Sequence, residues 1–184
     1  MTVFHEHFFV ITGGPGSGKT TLLQSLEDRY FLVMPEGGRA IIQDQTAIGG
    51  RALPWEDKSA YAELMLNWEL RSYREAPRRN RPVLFDRGIP DVIGYLELNS
   101  LPVPQHLSNA AEHYRYHRKV FIAPHWPEIY EKDAERKQSH DEAMATYHAM
   151  LEVYRRLGYE LLELPKENLD RRVQFIMDNL EGMR

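Results

Sequence analysis

The sequence predicts an α/β fold built on a mostly parallel β-sheet, and three observations carry that expectation. Short apolar runs alternate with longer amphipathic stretches along the 184 residues, the pattern of strand–helix–strand units. Four of the five apolar runs are continuous rather than alternating, as strands covered on both faces must be. The segments between them are short and marked by proline or glycine, and none is long enough for a domain linker. Residues 1–184 therefore read as one domain.

The elements follow in order. Phe8-Phe9-Val10-Ile11-Thr12 is an apolar run ended by glycines, and a helix from Gly18 to about Asp28 follows it. Phe31-Leu32-Val33-Met34 is a strand ended by Pro35. Arg39 to Ile48 is helical, with Ala40, Ile41, Ile42 and Ala47 apolar. Asp57 to about Glu75 is a long helix, in which Tyr61, Leu64, Met65, Trp68 and Leu70 fall close to helical spacing. Val83-Leu84-Phe85 is a strand ending at Asp86, and Pro90 to Leu98 is a shorter helix with proline in its first turn. Pro104 to His117 reads as a helix and Lys119 to Ala123 as a strand ended by Pro124. Asp141 to Leu157 is an amphipathic helix closed by Gly158. Leu161-Leu162-Glu163-Leu164 alternates and reads as an edge strand. Asn168 to Leu180 carries Val173, Ile176, Met177 and Leu180 on one face.

Composition excludes several functions. Lys+Arg 23 against Asp+Glu 27 leaves a net charge of −4, which argues against general nucleic-acid binding. There is no cysteine, so disulfides, zinc–thiolate sites and thiol nucleophiles are out. Residues 1–8 carry neither a basic segment nor a cleavage-type run of small residues. No apolar run approaches the ~20 residues of a membrane span. The expectation is a cytoplasmic protein without a membrane span.

The chemistry begins after the first strand. Gly13-Gly14-Pro15-Gly16-Ser17-Gly18-Lys19-Thr20 matches G-x-x-x-x-G-K-[ST], with an apolar strand entering and a helix leaving. Glycines let the backbone N–H groups turn inward around a phosphate, and the helix adds the positive end of its dipole. Lys19 is the point charge for the β- and γ-phosphates, expected to face solvent in the empty loop, and the Thr20 hydroxyl is the Mg²⁺ ligand. Thr21 completes the nucleotide-binding set.

Asp86 ends the third strand, where an acid would hold Mg²⁺ directly or through water. The alternatives are an Asp86 that caps the next helix, and Asp91, one turn into that helix, as the metal ligand. Ligands of open parallel sheets bind beyond the carboxyl ends of the strands. That rule puts Glu36, after the second strand, on the same rim as Asp86 and the glycine-rich loop. Glu36 could accept a proton from a substrate hydroxyl, or simply stand at a helix N-terminus favoured by the dipole. Arg39 is a candidate for binding a substrate anion.

These motifs resemble a P-loop kinase. The phosphate loop, Pro35-Glu36 and Asp86-Arg87 follow the layout of deoxynucleoside and nucleoside monophosphate kinases. The chain is also similar, along nearly its whole length, to a small bacterial family usually labelled AAA family ATPase. The shared stretches are Val10 to Thr20, Pro35-Glu36 with Arg39, Leu53-Pro54-Trp55, Phe85-Asp86-Arg87-Gly88, and Pro127-Glu128-Ile129-Tyr130 with Asp133 and Arg136. The resemblance implies a three-layer P-loop NTPase fold of nucleoside-kinase type, with a five-stranded parallel sheet in the order 2-3-1-4-5. It implies ATP or GTP with Mg²⁺. It also implies a lid at about residues 127–140, where Arg136 would reach the transferring phosphoryl group. The plain alternative there is a solvated helix face on which Arg136 pairs with its acidic neighbours. Trp55 and Arg87 join Glu36 and Arg39 as acceptor-binding candidates. Gly88 stands where the deoxynucleoside-kinase pattern has serine.

Two functions follow: a Mg²⁺-dependent kinase for a small-molecule hydroxyl or phosphate, or a nucleotide-dependent switch or slow NTPase acting on a protein or anionic-lipid partner. The remaining features read as structural. Arg71, Arg74, Arg78, Arg79, Arg81 and Arg87 crowd near a helix C-terminus, where cations are favoured anyway. His113 and His117 have metal-ligand spacing but no obvious third ligand.

Overall fold

The computed structural model describes residues 2–77, 81–127 and 140–180. Five parallel strands form the main sheet: β2 (Phe8–Gly13), β3 (Leu32–Met34), β4 (Val83–Asp86), β6 (Lys119–Ala123) and β7 (Glu160–Glu163). Their spatial order is β3-β4-β2-β6-β7, which is 2-3-1-4-5 in chain order, as expected. Two short strands, β1 (Val3–Phe4) and β5 (Tyr114–Arg115), pair in parallel beside it. The helices are α1 (Lys19–Glu27), α2 (Gly38–Ile48), α3 (Lys58–Glu75), α4 (Ile89–Leu98), α5 (Gln105–His113), α6 (His140–Arg156) and α7 (Leu169–Leu180).

Side chains of a strand alternate between its two faces, and the central strand divides accordingly. Phe8 and Val10 pack with Val83, Phe85 and Val120 against α3 through α6. Phe9 and Ile11 pack with Leu84, Phe121 and Ala123 against α1 and α7. Two apolar cores thus sandwich one sheet, which is why β2 shows no alternation in its sequence: all six of its residues are buried. The outer strands β3 and β7 are partly exposed, in keeping with the edge position expected for the last run.

One helix is shorter than its pattern suggests. The expected Pro104–His117 helix stops at His113. Tyr114 and Tyr116 then meet the Tyr73 ring edge-on, at 5.2 and 5.3 Å between centroids. The Tyr73 hydroxyl hydrogen-bonds the Arg115 carbonyl at 2.7 Å. These contacts draw the segment into β5, so His113 and His117 do not share a helix face. Gly158 closes the turn after α6 in the left-handed region, φ +81°, and the Tyr159 N–H returns to the Tyr154 carbonyl, as expected of a C-terminal glycine.

The strand register positions the chemistry. Ile11 lies opposite Asp86, and Gly13 opposite Ala123. Gly13 has φ +138°, and a Cβ there would come within 2.5 Å of the Ala123 carbonyl oxygen. Backbone blocks that space on both counts. Gly13→Ala is therefore expected to lower stability by at least about 1–3 kcal/mol, read as a reduced urea midpoint at unchanged slope.

Candidate active site

The glycine-rich loop joins the C-terminal end of β2 to α1. Gly16 and Gly18 take positive φ, +73° and +76°, a region open to glycine and costly for other residues. The Ser17 hydroxyl donates to the Gly14 carbonyl at 2.8 Å and so closes the loop on itself. Pro15, Gly16, Ser17, Gly18, Lys19 and Thr20 line a cleft of about 910 Å³. Thr20 and Thr21 are exposed at the start of α1. Lys19 does not face solvent as the sequence suggested: it is 8% exposed. Its ammonium is 4.0 Å from Asp86 Oδ1, so the strand-end carboxylate draws it inward. Burial holds the Lys19 pKa below its ordinary value, and Arg87 adds to that against the carboxylates.

The charged groups on the rim form a connected set centred on Asp91. This aspartate is 5% exposed. It accepts from the Thr12 hydroxyl at 2.5 Å, the Tyr154 hydroxyl at 2.6 Å and the Gly88 N–H at 2.9 Å. Arg87 Nη1 donates to it at 3.3 Å and to the Gly13 carbonyl at 3.1 Å. Asp91, with both oxygens occupied, is thus the cap of α4 and the anchor of Arg87. Arg87 has φ +72°, and its Nε lies 3.5 Å from Glu36 Oε2. Burial opposes its charge, but Glu36, Asp91 and Asp86 outweigh that and raise its pKa.

Asp86 does not cap α4, since Asp91 does. Its Oδ1 is buried with no hydrogen-bond partner, and burial pushes its carboxyl up against the pull of Lys19. A buried oxygen lacking a donor, 4.0 Å from the ammonium of Lys19, together with the exposed Thr20 next in the chain, is a donor set that suits Mg²⁺, which takes one or two protein oxygens and fills its shell with phosphates and water. No group of three or more His, Cys, Asp or Glu residues able to cage a metal occurs among the described residues.

Glu36 points into the cleft. Burial works upward on its carboxyl, but Arg87, Lys19 and Arg39 outweigh it and hold its pKa below the ordinary glutamate value. The next residues keep it there. A Cβ on Gly38 would sit 2.7 Å from Glu36 Oε1 and 2.8 Å from the Tyr61 hydroxyl, and one on Gly37 would strike the Trp68 ring. The Trp68 indole N–H donates to the Pro35 carbonyl at 3.0 Å. Trp68, on α3, therefore clamps the strand end that carries Glu36.

Arg39 lies on the cleft wall with Tyr61, Met65, Glu69, Val92 and Tyr95. Trp55 is 68% exposed, and its segment gives Pro54, not Trp55, to the wall. Gly88 is crowded: a Cβ there would approach the Tyr116 ring and Val10 at 3.1 Å, which explains glycine in place of serine. Arg71 pairs with Glu75 at 2.9 Å and Arg87 turns inward, so the arginine-rich segment does not act as one patch through these two. Arg78, Arg79, the lid segment from residue 128 and Arg136 lie outside the described residues. Glu69 was not anticipated. Its signal was available: it shares the spacing of Ala62, Leu66 and Tyr73, the buried stripe of α3.

A family model described as an AAA domain matches residues 8–172. No curated protein matches the sequence. Among solved structures, the chain is similar to deoxyadenosine kinase from M. mycoides with dCMP and dCDP bound, at TM-score 0.67 and 12% identity, covering 96% of this chain and 100% of that one. The same kinase with dATP aligns at TM-score 0.58 and 11% identity, covering 95% and 99%. Thymidylate kinase from Ehrlichia chaffeensis aligns at TM-score 0.64 and 12% identity, covering 96% and 98%. The fold is that of a P-loop NTPase with kinase-like architecture. No helix of the described residues is long and apolar enough to cross a membrane.

Asp91→Asn tests the central anchor. The change removes the charge facing Arg87 and turns one acceptor into a donor facing other donors. The expected loss is about 3–5 kcal/mol, measured by urea denaturation. A loss below ~1 kcal/mol would show that the set does not depend on Asp91.

Proposed function

The chain belongs to the AAA-domain family whose model it matches, and from that premise we propose a Mg²⁺-dependent phosphotransferase that moves the terminal phosphoryl group of ATP or GTP to a small-molecule hydroxyl or phosphate. The observation that supports it is Glu36: a carboxyl held in the low-pKa, ionised range, in the same cleft as the phosphate loop, 3.5 Å from the Arg87 guanidinium. A protein that only binds a triphosphate has no need of a proton acceptor so placed.

In this reading the loop N–H groups and Lys19 hold the phosphates in line, and positioning supplies most of the catalysis. For a hydroxyl acceptor, the oxygen attacks the terminal phosphorus and its proton passes to a Glu36 carboxylate oxygen. The bond to the nucleoside diphosphate breaks, and its bridging oxygen keeps the electron pair. Arg87 keeps Glu36 ionised beforehand. Thr20 and Asp86 would hold Mg²⁺, which supplies charge neutralisation on the phosphate oxygens. Arg39 would bind the acceptor, and Arg136 would be the lid arginine. A cytoplasmic location goes with this reading.

Two variants test it. Lys19→Ala is expected to remove most triphosphate affinity in titration calorimetry. Glu36→Gln is expected to leave that affinity within a few-fold while lowering phosphoryl transfer about 10²–10⁴-fold. Wild-type affinity in Lys19→Ala overturns the phosphate site. A Glu36→Gln variant changed only in slow hydrolysis overturns the kinase in favour of the switch.

A further inference from the structure

The proposed reaction makes no use of a second carboxyl in the cleft. Glu69 is 6% exposed, lines the cavity and takes no hydrogen bond from the described residues. The Tyr95 hydroxyl, also on the cavity wall, is likewise buried without a partner. Burial, followed by Asp91, Glu36 and Asp86, pushes Glu69 well above the ordinary glutamate value, with Arg87 opposing. A carboxyl this buried, with no ion pair to it among the described residues, favours the uncharged acid, which has one O–H to donate and a carbonyl to accept. No described residue accepts that O–H, and the side chain faces the cavity. The cavity that Glu69 lines has apolar and aromatic residues, among them Ile42, Met65, Trp68 and Val92, beside charged ones such as Arg39 and Lys58.

Within the phosphotransferase reading, we propose that Glu69 selects the acceptor substrate by hydrogen-bonding an uncharged polar group of it, a carbonyl oxygen or ring nitrogen, set in an apolar body. An ammonium-bearing acceptor is the poorer fit. It would require Glu69 to ionise, giving two buried charges in place of none, and buried ion pairs return little of their desolvation cost.

The first measurement needs no acceptor. The infrared difference spectrum of wild type minus Glu69→Gln at neutral pH is expected to show the carbonyl band of a protonated carboxyl; its absence overturns the proposal. The second uses ATP–Mg²⁺-loaded protein and three sets of hydroxyl compounds: nucleosides and N-acylated amino alcohols, free amino alcohols, and plain polyols. Binding is read by calorimetry in wild type, Glu69→Gln and Glu69→Met. The first set is expected to contain the binders. Glu69→Gln, which also offers a donor and an acceptor, should hold them within a few-fold, while Glu69→Met should weaken them about 10- to 100-fold. Amino alcohols that bind wild type but not Glu69→Gln would overturn the proposal in favour of an ionic role. Equal binding in all three proteins, or no binder in the first set, overturns it as well. Triphosphate affinity, measured alone in each variant, reports the phosphate site independently. Loss of that affinity in wild type would sink the phosphotransferase reading, whereas failure confined to the acceptor arms sinks only the role of Glu69.

Discussion

Removing a carboxylate from water is expensive unless donors replace the lost hydration, and Asp91 meets that demand from separate parts of the chain. Thr12 reaches it from the end of the central strand, Tyr154 from α6, and Gly88 and Arg87 from the turn after β4. Each donor is a constraint on the element that carries it. Together they tie the start of the phosphate loop, the start of α4 and the inner face of α6 to one point. Arg87 passes the constraint on, since the same guanidinium contacts the Gly13 carbonyl and the Glu36 carboxylate. The rim is therefore positioned by a buried aspartate that is not itself assigned any chemistry.

The succession of strands and helices was legible in the sequence because it rests on local signals, while the order of the strands in the sheet was legible only through the resemblance to P-loop kinases. Continuous apolar runs mark covered strands, the glycine-rich loop identifies its own neighbours, and Gly158 ends its helix. The relation of Glu36, Asp86 and the loop was legible too, since all three stand at strand ends of one parallel sheet. Less legible were effects of packing between distant segments. Asp91 looked like a reserve metal ligand because Tyr154, 63 residues further on, is invisible to any local pattern. Lys19 looked exposed because nothing nearby in the chain shows Asp86 beneath it. The early end of α5 depends on Tyr73, which belongs to another helix. Glu69 is a different case: an acid on a buried stripe can be read directly, provided the stripe is followed through α3.

Charge in the cleft is divided by depth and partner. Arg87 is surrounded by Glu36, Asp91 and Asp86, so the rim holds opposite charges at close quarters in the absence of any ligand. In the proposed reaction a phosphate chain would meet Lys19 and the loop amides while Arg87 stays engaged with carboxylates. The cost of arranging those charges is met during folding, before any ligand arrives.

The position of β2 has a further consequence, for the order in which the molecule becomes itself. The strand that carries the phosphate loop lies near the start of the chain, yet its two neighbours are β4 and β6, with Val10 beside Phe85 and Ile11 beside Phe121. Pairings so distant in sequence close late, because the loop entropy must be met before the contact repays it. A ribosome-bound chain would thus present its most apolar strand long before either partner has been synthesised, a period in which unpaired strand edges are open to misassociation. The glycine-rich loop leaves a strand seated between β4 and β6, so its footing is complete only when both have joined β2.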